Sequence, residues 1–347
     1  MKVLAPGKLI LSGEHAVVYG KPALAVAVNR YATASISHDL VPRVSFHFSD
    51  LEYKRRLSYT TLHNIKERLK RKYHQFIQGD FSIREVLHKP FELAQFAFGS
   101  IFEALNIKLN HGMNIHVQSD IPIGCGMGSS AATILSVIYA MTQHLDLKLS
   151  NEAIFDLALA AENMQHGSSS GLDLHVSLQG GCIYMHEKTI SQRAVPNLGI
   201  YLVNTGTPKT STGECVAKAA PLFKTSSIGD DFAAVTVAMD QGFAQNQQQA
   251  VSQAVQANHE LLVQIGVVPE RVQQFIAEIE KLGGVAKTCG AGAVAGDNAG
   301  IVMVMMPDSI INSIEKGGLG EILSTLCLRY GYTLLPILPE PRGTRVV

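Results

Sequence analysis

Between Pro122 and Ala132 the chain reads Pro-Ile-Gly-Cys-Gly-Met-Gly-Ser-Ser-Ala-Ala, with glycines at the alternate positions 124, 126 and 128. Without a Cβ, such residues let backbone N–H groups approach an anion closely. The apolar segment that follows predicts a helix over Ser129–Leu145, opened by a Ser-Ser pair. Its free N–H groups and the positive end of its dipole add to the same site. Phosphate binding is the chemistry this arrangement serves, and the hydroxyls of Ser129 and Ser130 fall where a Mg2+ ion bridging phosphates would sit. A Walker A sequence, G-x-x-x-x-G-K-[ST], occurs nowhere in the chain. The dinucleotide fingerprint G-x-G-x-x-G is not matched either, and it belongs to a first βαβ unit rather than to a loop beyond residue 120. A plain strand-to-helix turn with a serine cap needs one glycine, not three. Cys125 lies inside the loop, and the helix N-terminus beside it predicts a thiolate-prone cysteine.

Three further groupings carry reactive side chains. Glu162 ends a predicted helix, Asn151–Asn163, that Ser150 caps, and Asp173 follows the Ser/Gly-rich run 167–171. Surface carboxylates are common, but Asp173 sits among Leu172, Leu174, Val176 and Leu178, where a carboxylate needs a cationic partner or a task. Lys8 stands between Ala5 and Leu9–Leu11, either snorkelling from an edge strand or held for a purpose. Gly13–Glu14–His15 follows closely. Lys287–Thr288–Cys289–Gly290–Ala291–Gly292 is a small-residue loop able to close over a ligand.

These groups need a framework, and composition supplies one. The chain has 347 residues, 46% of them hydrophobic, enough for two cores rather than one. Lys+Arg and Asp+Glu both total 29, which argues against nucleic acid as a partner. The local run Lys54, Arg55, Arg56, Lys66, Arg68, Lys70, Arg71 and Lys72 is read as a solvated helical face. The five cysteines form no C-x-x-C pair and the thirteen histidines no H-E-x-x-H, so no zinc site is expected, and the thiols fit a reducing compartment. The N-terminal apolar run is too short for a signal peptide, and no segment reaches the ~20 apolar residues that span a bilayer. A soluble, cytoplasmic protein with no membrane partner is expected.

Alternation predicts strands at Val3–Ala5, Lys8–Ser12, Ala23–Val28, Ala32–Ser37, Asn114–Gln118, Ile183–His186, Ile200–Asn204 and Gly300–Met306, with a turn at Asn29–Arg30. Helical spacing predicts Leu62–Gln78, Phe91–Leu105, Asp231–Ile265 and Glu270–Leu282 in addition. Character changes near Arg193–Asn197, which divides the chain into domains 1–192 and 193–347. Hairpin-like neighbours favour an α+β architecture over a doubly wound parallel sheet.

Together these segments resemble the galactokinase–homoserine kinase–mevalonate kinase–phosphomevalonate kinase (GHMP) superfamily, over almost the whole chain and with its three motifs in order. The phosphate loop Pro122–Ala132 is the most specific of them. Ala5–Lys8, Gly13–Gly20, Val203–Gly206 and Pro208–Thr212 are similar to the branch whose acceptor is mevalonate. The resemblance implies a two-domain fold with a ferredoxin-like C-terminal domain. It further implies transfer of the ATP γ-phosphoryl group to the hydroxyl of mevalonate, a small-molecule substrate. Residues Pro122, Gly124, Cys125, Gly126, Met127, Gly128, Ser129 and Ser130 would hold ATP, and Ser130 and Glu162 the Mg2+. Lys8 and Asp173 would be catalytic and flank the acceptor hydroxyl, with Glu14 and His15 lining its pocket. A homodimer is compatible with it. The chain departs from the family in having Leu174 where asparagine usually follows the catalytic aspartate, and in the segment Ala293–Val294–Ala295–Gly296–Asp297, poorer in glycine than usual. A kinase for another alcohol or for phosphomevalonate, and an ATP-binding sensor without transfer activity, are the alternatives. The sensor has no use for both Lys8 and Asp173.

Overall fold

The computed structural model describes residues 1–80, 83–87, 89–104, 111–195, 199–307 and 318–347. The predicted helix end at Leu105 and the Pro196–Asn197 part of the expected boundary lie outside them. β1 (Lys2–Ser12) and β2 (Ala23–Asp39) are the antiparallel spine of an eight-stranded sheet. Each was expected as two short strands. The breaks are instead one bulge: register shifts between Pro6, opposite Tyr31, and Gly7, opposite Val28. Proline, lacking an N–H, is tolerated at such an irregularity. Asn29 and Arg30 do not turn because the C-terminal tail satisfies them. Asn29 N–H donates to Leu338 O (2.9 Å), Leu338 N–H to Asn29 Oδ1 (2.7 Å) and Arg30 to Pro336 O (2.9 Å).

The second half of β2 pairs with β5 (Gly112–Ser119), followed by β3 (Val44–Phe48), parallel to β5, and β4 (Tyr53–Leu57) at the edge. Its first half pairs with β6 (Cys182–His186), which pairs with β7 (Thr189–Arg193). β12 (Arg345–Val346) lies along the start of β1. Packed with this sheet are α1 (Tyr59–Gln78), α2 (Pro90–Ala104), α3 (Ser129–His144), α4 (Asn151–His166) and α5 (Leu172–Gln179). α3 lies against β1 and β2, as expected for a helix apolar nearly all round; Ala131, Ile134, Leu135, Val137 and Ile138 are buried. The basic run is only partly a solvated face. Lys66 is buried and paired with Glu103 (2.9 Å), Arg68 is paired with Glu92 (2.6 Å), and carboxylates of α2 answer both.

Beyond residue 199 a second, four-stranded sheet runs β11 (Thr333–Leu335), β8 (Ile200–Asn204), β10 (Ile301–Met305), β9 (Val285–Cys289), antiparallel throughout. Between β8 and β9 come α6 (Thr212–Thr225), α7 (Ile228–Ala244), α8 (Gln248–Gln264) and α9 (Glu270–Lys281); α10 (Gly318–Tyr330) precedes β11. This split βαβ pattern is the ferredoxin-like arrangement. The expected helix Asp231–Ile265 is two helices, broken at Asn246, whose φ is +52°. They tie the layers together: Met239, Val251 and Val255 enter the core of the first sheet, Phe232 and Leu262 that of the second. The α+β architecture is as expected. Among the described residues no helix is long and apolar enough to cross a membrane.

Candidate active site

Lys8 does not snorkel. It is 3% exposed, its N–H donates to Met127 O at 2.9 Å, and its Nζ donates to Gly126 O at 3.0 Å. The same ammonium lies 3.2 Å from Asp173 Oδ2. Asp173 occupies the first turn of α5 behind Gly171 (φ +78°), where free N–H groups favour a carboxylate, and it is 28% exposed. Strand β1, the glycine loop and α5 thus place a buried cation against a solvent-reaching anion.

Gly128 precedes α3 with φ +73° and ψ 28°, and no side chain caps the helix. The serine pair forms the first helical residues, as expected, and Gly128 takes the cap position. The reason is space: a Cβ on residue 128 would lie 2.9 Å from Lys8 Cγ and 3.6 Å from Asp173 Oδ2. The glycine-rich loop is therefore built around the Lys8 side chain.

Glu162 is one turn inside α4, not at its end, and is 1% exposed. Ser169 Oγ donates to its Oε2 at 2.6 Å. Burial, then the charge of Asp173, pushes its pKa up to about 8, against the Ser169 hydrogen bond. A carboxylate that burial and a like charge drive toward its neutral form is one that a divalent cation would keep ionised. The oxygen donors Ser130 and Glu162 suit Mg2+, which takes few protein ligands beside phosphate. Ser130, in the first turn of α3, is half-buried.

Gly124, Cys125 and Gly126 form one wall of a cavity of about 410 Å³. Thr207–Gly213 lines another side, Ala291 and Gly292 a third, and Gln165 and His166 also face it. Gly126 belongs both to this wall and, through its carbonyl, to the Lys8 site. Lys8, Asp173, Ser130, Glu162, Glu14 and His15 are not among the lining residues. Glu14 is 1% exposed and ion-paired with Lys287, itself wholly buried. His15, at φ +60°, has its Nε2 3.0 Å from Ala291 O, and burial lowers its pKa to about 4.

The expectation for Cys125 is corrected. Its thiol is 3% exposed, lies 3.6 Å from Asn204 Oδ1, and burial raises its pKa rather than lowering it. Sequence reading missed His166, whose signal is its i+4 spacing from Glu162 on one helix face. Burial holds its pKa below the ordinary value, while the charge of Asp173 acts in the opposite sense. It also missed Lys287 as the partner of Glu14, which no local spacing reveals.

The description "GHMP kinases N terminal domain" matches residues 92–181. Mevalonate kinase of Archaeoglobus fulgidus is 32% identical over 83% of this chain and 88% of its own length. That of Candida albicans is 28% identical over 91% of this chain and 84% of its own. The solved mevalonate kinase of Methanococcus jannaschii superposes with a TM-score of 0.78 over 98% of both chains, at 23% identity. The fold is that of a small-molecule kinase of the GHMP class. Within that class, the chain belongs to the mevalonate kinase family.

Proposed function

We propose that this chain phosphorylates mevalonate at its primary hydroxyl with ATP, giving 5-phosphomevalonate and ADP. One observation carries the reading: the Lys8–Asp173 pair lies directly beneath the glycine loop that opens α3. ATP belongs with its triphosphate along Gly124–Ser130, where N–H groups and the helix end meet negative charge. The acceptor belongs beside Asp173, which does not itself line the 410 Å³ cavity but is joined to it through Gly126, whose carbonyl accepts from Lys8. Asp173 accepts the hydroxyl proton as the O–P bond forms. The bond from the γ-phosphorus to the bridging oxygen breaks, and its electron pair leaves with ADP. Lys8 stabilises the charge growing on the attacking oxygen and fixes the orientation of Asp173.

Ser130 and Glu162 would hold Mg2+, which supplies neutralisation of phosphate charge. The site assignments other than Glu14, which is buried against Lys287, the division near 192/193, a cytoplasmic location and a homodimer complete the reading. All five cysteines are free and buried, which fits a reducing compartment. The test is ATP consumption over a panel of small alcohols that includes mevalonate, phosphomevalonate, homoserine and galactose. Turnover confined to mevalonate is expected; preference for another member would replace the acceptor, and no turnover at all would favour a sensor.

A further inference from the structure

Glu14 and Lys287 lie 273 residues apart, yet form an ion pair with 1% and 0% exposure. We propose that Lys287 is a positioning residue. Its pairing with Glu14 ties the two layers together and keeps the Gly290–Gly292 loop seated on Gly126, and thereby Lys8 in place. The inference rests on the kinase reading above, and it makes Glu14 an internal counter-ion rather than a ligand of the acceptor.

Both carboxylate oxygens are engaged within the protein. Oε1 meets Lys287 Nζ, and Oε2 lies 3.4 Å from the Asn258 amide nitrogen of α8. Asn258 Oδ1 accepts from Ser12 Oγ of β1 (2.6 Å), which meets Thr236 Oγ1 of α7 (2.7 Å). Lys287 Nζ also reaches Ile10 O at 3.4 Å. One buried polar network therefore joins β1, the loop after it, α7, α8 and β9. A buried pair contributes little net stability but places its members strictly, because losing either partner strands a charge.

Its consequence for the chemistry runs along β9. Two residues past Lys287 the strand ends at Cys289, and the next loop touches the phosphate loop backbone to backbone. A Cβ at Gly126 would lie 2.7 Å from Cys289 O, and one at Gly290 would lie 2.9 Å from Gly126 Cα. The carbonyl of that same Gly126 accepts the Lys8 hydrogen bond at 3.0 Å. On the other side, His15 meets Ala291 O at 3.0 Å. The pair thus anchors both ends of the contact that fixes the catalytic lysine.

The experiment is a double-mutant cycle of Glu14→Gln, Lys287→Met and the two combined. Melting temperature is measured, with kcat and both KM values taken well below the lowest melting point. Lys287→Met should lower kcat on the order of 10- to 100-fold, with both KM values within about threefold of the parent. The combined variant, which leaves no stranded charge, should recover part of the loss in kcat and in melting temperature. An unchanged kcat in Lys287→Met would make the pair merely stabilising and overturn the proposal. So would losses that multiply, or a rise of about tenfold in acceptor KM in Glu14→Gln. If Lys287→Met does not fold, the same KM criterion is read from the combined variant. If the parent ignores mevalonate, the kinase reading fails on its own, and the cycle is run with the alcohol the panel identifies.

Discussion

Gly128→Ala tests whether the phosphate loop and the catalytic pair are one object. The substitution forces a residue with a Cβ to φ +73°, a cost of about 1–2 kcal/mol for an L-residue. The new methyl would also lie 2.9 Å from Lys8 Cγ and 3.3 Å from Lys8 Cε. Ordinary carbon contacts are ~3.5–4.0 Å, so the lysine stem must retreat by roughly 0.6–1 Å. Its ammonium is held at 3.0 Å by Gly126 O and 3.2 Å by Asp173, and cannot keep both. A misplacement of that size costs on the order of 100-fold in rate, equivalent to about 2.7 kcal/mol of barrier. Gly331→Ala is the matched control, since its φ is +72° and a Cβ there meets nothing within 4 Å. Steady-state kcat at saturating ATP and mevalonate, with thermal unfolding of both variants, separates the effects. Both should lose similar stability, and only Gly128→Ala should lose kcat. Equal kcat in parent and folded Gly128→Ala would refute the claim that Lys8 is fixed by this loop.

Ser130→Ala and Glu162→Gln should each raise the Mg2+ concentration needed for half-maximal rate while leaving the mevalonate KM within about threefold; a parental Mg2+ response would remove them from the metal site. Cys125 should react slowly with an alkylating reagent in the folded protein at neutral pH, ATP slowing it further, since its thiol is buried and its pKa raised; fast labelling without unfolding would contradict this. His15 and His259 have pKa values lowered by burial to about 4. Through these two residues the unfolded chain binds more protons below about pH 6.5, so their contribution to stability should be full above that value and fall away toward pH 4. Glu162, raised to about 8, acts in the opposite sense. His259→Gln should flatten that fall in a melting-temperature profile, and an unchanged profile would show that His259 does not contribute.

The glycine-rich loop was legible because its signal is local: three alternate glycines and a helix start within a dozen residues. Lys8 and Asp173 were individually legible as ionisable residues in apolar surroundings, but their contact joins positions 165 apart and follows from how β1 and α5 pack on α3. Boundaries failed where a distant segment satisfied the backbone. Asn29–Arg30 carries the composition of a turn and is a bulge because residues 336–338 bind it. The charge on Lys287 could be seen, whereas its burial against Glu14 depends on two sheets meeting. Cys125 misled because proximity to a helix end was weighed and desolvation was not.

The central claim is that Asp173 takes the acceptor proton while Lys8 steadies the oxygen. The most direct measurement is kcat for the parent, Asp173→Asn, Lys8→Met and the double variant, at saturating ATP and mevalonate, with folding verified. Asp173→Asn and Lys8→Met should each lose on the order of 100-fold or more in kcat, with KM little changed, and the double variant should be little worse than the poorer single. A near-parental kcat in folded Asp173→Asn would contradict the account.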